Sequence, residues 1–225
     1  MRGSPSIPSI RYPGLLVFVV VPPAFLAVFA VLQGRVPAVN MYRDLAEVAM
    51  SGPCCSRLDG SVALLNELLW AASAAIVGFS LVLAWPRCGA SMRRLLVTAL
   101  ALSGLLAFDD AYRLHEAEGV FLGLKAEKLL FPLYALALAS YLRERRAFPW
   151  GVTWVLGLAA AGLGASVLVD QLFDQLPAKG LIEDTPKLAG TCAWLIWHGL
   201  LGAKAIRGAS SPKSQTWGPA TGRSR

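Results

Sequence analysis

The stretch from Ser61 to Trp85, "SVALLNELLWAASAAIVGFSLVLAW", holds a single charged residue, Glu67. As a helix it is long enough to cross the roughly 30 Å hydrocarbon core of a bilayer. Inside hydrocarbon every backbone N–H and C=O must find a partner, and a helix is the only form that satisfies them all within one segment. Further apolar segments cover residues 12–33, 94–116, 124–142, 150–170 and 187–204. Together with 61–85 they predict an all-α fold, a six-helix transmembrane bundle occupying residues 1–207. Composition agrees: 56% of the chain is hydrophobic, 16% is charged, and the mean hydropathy is +0.55, outside the range of ordinary soluble domains.

The first segment carries Pro22 and Pro23, which are expected to kink it or split it into two half-helices. Its length and the poor cleavage site in "AVFAVLQ" favour a retained anchor over a signal peptide. There is no internal repeat and no loop long enough to fold separately, so a single domain is expected. Residues 208–225, "GASSPKSQTWGPATGRSR", are rich in Ser, Pro, Gly and basic side chains and read as a disordered tail.

With six spans both termini share one side. An N-in, C-in arrangement puts most of the 21 Lys and Arg residues in the cytoplasm, among them Arg87, Arg93, Arg94, Arg143, Arg145 and Arg146. Of the 14 acids, only Glu144 falls on that side. The net charge of +7 is therefore cytoplasmic and suits anionic lipid headgroups; it implies no nucleic-acid partner.

The opposite face is chemically different. The third apolar run ends in "FDDAYRLHEAEG", Phe108 to Gly119, and the other outer helix ends add Asn66, Glu67, Lys128, Asp170, Glu183, Asp184 and Lys187. Counting about 1.5 Å per residue from Arg94, Asp109 and Asp110 lie roughly 22 to 24 Å above the inner interface, still below the outer boundary. The same count from Arg143 places Lys128 about 22 Å up the fourth helix. A carboxylate at that depth must be paired, protonated, metal-bound or turned to water. On a continuous helix Asp109, Arg113 and Glu116 share a face, and Asp110 points about 100° away, toward a different neighbour.

Clustered carboxylates with one imidazole suit a divalent cation such as Zn²⁺, Mg²⁺, Mn²⁺ or Ca²⁺. The candidate ligands are Asp109, Asp110, His115, Glu116, Asp170, Glu183 and Asp184, with Arg113, Lys128 and Lys187 as charge partners. A metal-activated water would allow hydrolysis of a lipid or small-molecule substrate near the headgroup plane. The same acids could instead relay protons, hold a cation in transport, or form ion pairs such as Asp109 with Arg113 and Glu183 or Asp184 with Lys187.

Other chemistries are disfavoured. Cys54, Cys55, Cys88 and Cys192 contain no CxxC, and the chain has neither a G-x-S-x-G elbow nor a P-loop. His198 lies about 16 Å below the outer layer, where a core histidine bonded to a neighbouring helix is expected. Trp70, Trp85, Trp150, Trp154, Trp194 and Trp197 read as interface anchors. "GLAAAGLGAS" in the fifth helix reads as a close packing surface.

Three motifs, "DDAYRLHE" (Asp109, Asp110, His115, Glu116), "ASVLVDQL" with Asp170, and "IEDTPKLAG" (Glu183, Asp184, Lys187), resemble a group of uncharacterised bacterial multi-pass membrane proteins. The resemblance covers roughly the last half of the chain and implies a bacterial cytoplasmic (inner) membrane location, with no activity attached. A more distant, architectural likeness is to the ceramidase-like membrane hydrolases, which hold zinc with three histidines. This chain has two histidines, so that site is impossible here. Two readings follow: a metal-assisted hydrolase or lipid-modifying enzyme, and a non-enzymatic transport, sensing or assembly protein with an ion-pair layer.

Overall fold

A computed structural model describes residues 12–43, 48–50, 56–112, 114, 127–145, 153–173 and 179–210. In chain order the helices are α1 (Tyr12–Leu32), α2 (Ala38–Tyr42), α3 (Ser61–Ala84), α4 (Ala90–Tyr112), α5 (Glu127–Glu144), α6 (Thr153–Leu172) and α7 (Lys179–Ser210). No strand occurs among the described residues. Helices α1 (from Gly14), α3, α4 and α6 are each long and apolar enough to cross a membrane.

The boundaries have local causes. Gly60 precedes α3 at φ 67°, a left-handed conformation that glycine adopts without a Cβ penalty. Its N–H donates to the Asn40 carbonyl at 2.8 Å, tying the start of α3 to α2. At the far end Pro86 has no N–H to offer the Val82 carbonyl, and α3 stops at Ala84. Of the outcomes expected at Pro22 and Pro23, a break does not occur: α1 runs as one helix through both. Proline's fixed φ is compatible with a helix, and the two missing N–H donors cost backbone bonds without forcing a break.

Helix α7 departs most from the sequence reading. It begins two turns before Lys187 and ends at Ser210 rather than 204, so residues 208–210 of the expected tail are helical. Residues 211–225 lie outside the described ones. The early start follows from packing. Leu181, Leu188 and Cys192 recur at helical spacing and close a small core with Ala30 of α1, Met41 and Tyr42 of α2, and Val62 of α3. Charges at 183, 184 and 187 thus interrupt the apolar run without ending the helix. Likewise α4 starts at Ala90, before Arg94, so the basic residues there interrupt the apolar run without ending the helix.

The main core gathers Trp70, Val77, Leu95, Leu96, Tyr141, Val155, Trp194, Trp197 and Leu201 from α3 to α7. Trp70, Trp194 and Trp197 are therefore core residues, which corrects their reading as interface anchors; Trp85 stays half-exposed at the end of α3, and Trp150 lies outside the described residues. Their placement follows from tertiary contact: Trp70 and Trp194 stack edge to face at 5.8 Å. The glycine-rich stretch packs closely at one position. A Cβ on Gly162 would sit 2.6 Å from the Pro186 carbonyl oxygen and 2.8 Å from Gly190 Cα, so α6 and α7 meet backbone to backbone. Gly157 and Gly164 face open space.

Large apolar side chains cover the outside, among them Phe18, Phe79, Val82 and Leu136. Such a surface is suited to lipid and unsuited to water.

Candidate functional site

Asp110 stands near the end of α4, and its two oxygens address two other helices. Oδ1 accepts from Lys187 Nζ on α7 at 2.5 Å, and Oδ2 accepts from Asn66 Nδ2 on α3 at 3.4 Å. One carboxylate thereby joins α3, α4 and α7. The pair is well shielded, with side-chain exposures of 13% for Asp110 and 26% for Lys187. Asn66 is itself buried, and its Oδ1 has no hydrogen-bond partner among the described residues.

Asp109 is one residue earlier and turns to a different neighbour, as the 100° step of a helix requires. It is 6% exposed and faces the buried Tyr134 hydroxyl of α5, which sits outside ideal hydrogen-bond geometry. The Lys187 ammonium feels three carboxylates: Asp110 first, then Asp184 and Glu183 on its own helix. Beyond Asp184 lies Tyr42 of α2, outside the spans. Burial raises the Tyr42 phenol pKa above its ordinary value; Thr185 opposes that shift and the Asp184 carboxylate adds to it. Thr185 Oγ1 donates to the Leu181 carbonyl at 2.6 Å, which keeps this hydroxyl on the helix it belongs to.

A second pair lies apart from the first. Lys179 Nζ is 2.9 Å from Asp170 Oδ1, and Gln171 Nε2 donates to Asp170 Oδ2 at 3.0 Å. Because Lys179 precedes Lys187 by two turns, the pairs are separated by about 12 Å along α7. Of the candidate residues the structure thus brings together Asp110 and Lys187, with Glu183 and Asp184 in electrostatic reach of that lysine; it turns Asp109 toward Tyr134 and places Asp170 in another contact. Arg113, His115 and Glu116 lie outside the described residues, as do Cys54 and Cys55. Lys128 falls in the first turn of α5, with its side chain outside what is described. Among the described residues no three His, Cys, Asp or Glu side chains are grouped to hold a metal ion. Among the described residues, the cation that meets Asp110 is the Lys187 ammonium.

His198 belongs to a different, neutral network deep in the core. Trp197 Nε1 donates to Tyr141 Oη, the Tyr141 hydroxyl lies 3.3 Å from His198 Nε2, and His198 Nδ1 lies 2.8 Å from the Trp194 carbonyl. A carbonyl only accepts, so Nδ1 carries the proton, Nε2 accepts from Tyr141, and each member is satisfied. Trp194 Nε1 in turn donates to Ser103 Oγ at 3.0 Å.

The sequence reading did not single out Tyr134, Tyr42 or Thr185. A signal existed for Tyr134: it lies seven residues before Tyr141 in an apolar helix, so both share one face of α5. One reaches the charged layer and the other reaches His198.

A family described as "Domain of unknown function (DUF8692)" matches residues 14–200. The chain belongs to that family. The matched region runs from α1 into α7 and includes every described residue of the charged layer, so the layer is part of the family's domain and not an appendage to it. No curated protein and no solved structure matches the chain.

Proposed function

We propose that this is a multi-pass protein of the bacterial cytoplasmic membrane with six spans and both termini in the cytoplasm, and that its charged layer is a non-enzymatic clamp responsive to protons or small cations. Two arguments support six spans. Helix α7 packs against α1, α3 and α6, each apolar enough to cross, and a helix held among crossing helices crosses with them. Helix α5 packs along α4, and its polar groups face inward to Asp109 and His198. The Lys and Arg bias sets the sidedness.

The observation that carries the functional reading is the Lys187–Asp110 pair with buried Asp109 beside it. A shielded ion pair holds two helices together only while both partners are charged and no competing cation intervenes. Adding a proton or a small cation to this layer removes the reason for α7 to stay docked on α4 at that level, so occupancy and helix arrangement are linked.

The test measures the thermal stability of purified protein in detergent across pH and across Na⁺, K⁺ and Mg²⁺, together with its metal content. Wild-type protein should respond to pH or to one of the cations, and Asp109→Asn with Asp110→Asn should flatten that response. An identical response in the double variant would sink the proposal. Stoichiometric metal retained by the wild type and lost from the double variant would replace it with metal-assisted hydrolysis.

A further inference from the structure

A second polar site lies at the other end of the bundle, about 22 Å from the charged layer by the rise of α4 between Arg94 and Asp109. Here the end of α3, the first turns of α4 and the last turn of α5 border a cleft of about 320 Å³. Its polar wall is basic: Arg93, Arg94 and Arg143 stand against the single carboxylate of Glu144. Each arginine is held differently. Arg93 lies over the Trp85 ring with Cζ 5.1 Å from the centroid and donates through Nε to the Cys88 carbonyl at 3.1 Å. Arg94 Nε meets both Glu144 oxygens at 3.2 Å. Arg143 is exposed and has no ion-pair partner among the described residues.

We infer that this cleft binds the phosphate headgroup of an anionic phospholipid. Three guanidinium groups facing one carboxylate leave an excess of positive charge, and planar guanidinium forks match phosphate oxygens in pairs. Two of the arginines are already oriented by protein contacts, which lowers the ordering cost of binding. The occupant is a lipid rather than a free phosphate because the cleft continues into an apolar track. Ser140 and Arg143 share their α5 face with the exposed Leu136 and Leu133 at helical spacing, and Val97 is exposed alongside on α4. A headgroup seated on the arginines would therefore lay its acyl chain along that strip. Trp85 at the rim is the amphipathic ring expected at headgroup level. The inference rests on the membrane placement proposed above and is independent of any proton or cation response, so the two can fail separately.

The experiment compares the relative association of spin-labelled phosphatidylglycerol and phosphatidylcholine with protein reconstituted in phosphatidylcholine vesicles. Wild-type protein should prefer the anionic lipid. Arg143→Gln, which removes no described protein contact, should weaken that preference roughly 10-fold, the loss of one direct charge-assisted contact to phosphate. Arg87→Gln, outside the cleft, serves as a control for general surface charge and should change it little. Equal effects of Arg143→Gln and Arg87→Gln, or no preference in the wild type, would overturn the inference. So would displacement of the labelled lipid by millimolar inorganic phosphate, which would make free phosphate the occupant. A thermal melt of each variant checks folding, and Arg143→Lys should restore most of the preference.

Discussion

Two interhelical ion pairs stand at opposite ends of α4, and their surroundings give the same chemistry different weight. Near one end Asp110 meets Lys187 with both side chains mostly shielded; near the other Arg94 meets Glu144 with an arginine that is 62% exposed. Shielding raises the Coulomb attraction and also the cost of losing a partner, because the charge left behind has no water to turn to. An exposed pair loses little when broken, since solvent takes over. On the function proposed above, the first pair links helix arrangement to charge state, whereas the second costs little to break.

The largest expected effect is at the shielded pair. Lys187→Met or Asp110→Leu alone should destabilise the protein by about 3 to 5 kcal/mol, read as a lower melting temperature in detergent. Joining Lys187→Met with Asp110→Leu should recover much of that loss; a double variant as unstable as the sum of the singles would show that the pair is not the unit. Next comes the packing that positions Lys187. Gly162→Ala brings a methyl against Pro186 and Gly190, which bracket the lysine, and should cost about 1 to 3 kcal/mol, whereas Gly164→Ala, facing open space, should cost far less. An equal cost at the two glycines would break the argument that close approach, and not helix propensity, matters there.

Tyr141→Phe is a neutral counterpart to both pairs. It strands the Trp197 N–H and removes the donor to His198 Nε2, for an expected cost of about 1 to 3 kcal/mol that about 0.5 M salt leaves unchanged, because salt screens exposed charges and not a buried neutral bond. The smallest effect belongs to Arg94→Gln, about 0 to 1 kcal/mol and shrinking with added salt. A salt-independent loss of several kcal/mol at Arg94 would erase the contrast between the two ends.

Much of the fold was legible from apolar run length alone. Helix α3 matches its expected span to within a residue, because its one charged residue, Glu67, is too little to break an apolar run that continues to Pro86. Helix α7 was not legible at its start: Glu183, Asp184 and Lys187 look like an end when only hydropathy is weighed. In fact Leu181 and Leu188 give that turn its own apolar face against α1 to α3. In the charged layer, the i and i+1 positions of Asp109 and Asp110 foretold two different neighbours. Tyr134 and Asn66 as those neighbours depended on how α3, α4 and α5 are set side by side. The tryptophans show the reverse: their sequence positions near run ends suggested an interface, yet Trp194 and Trp197 fill space that only the converging helices create.

By itself the sequence determined that the chain makes long apolar helices and that Asp109 and Asp110 fall near the end of one of them, far from Arg94. Those properties depend on run length and on a fixed rise per residue, both local. Tertiary structure alone decided which cation meets which carboxylate. Lys187 and Asp110 are far apart in the chain, and their meeting needs α6 and α7 to touch at Gly162 and Gly190 and α7 to pack against α3. Pairing at that range is set by the packing of whole helices, which no local pattern encodes.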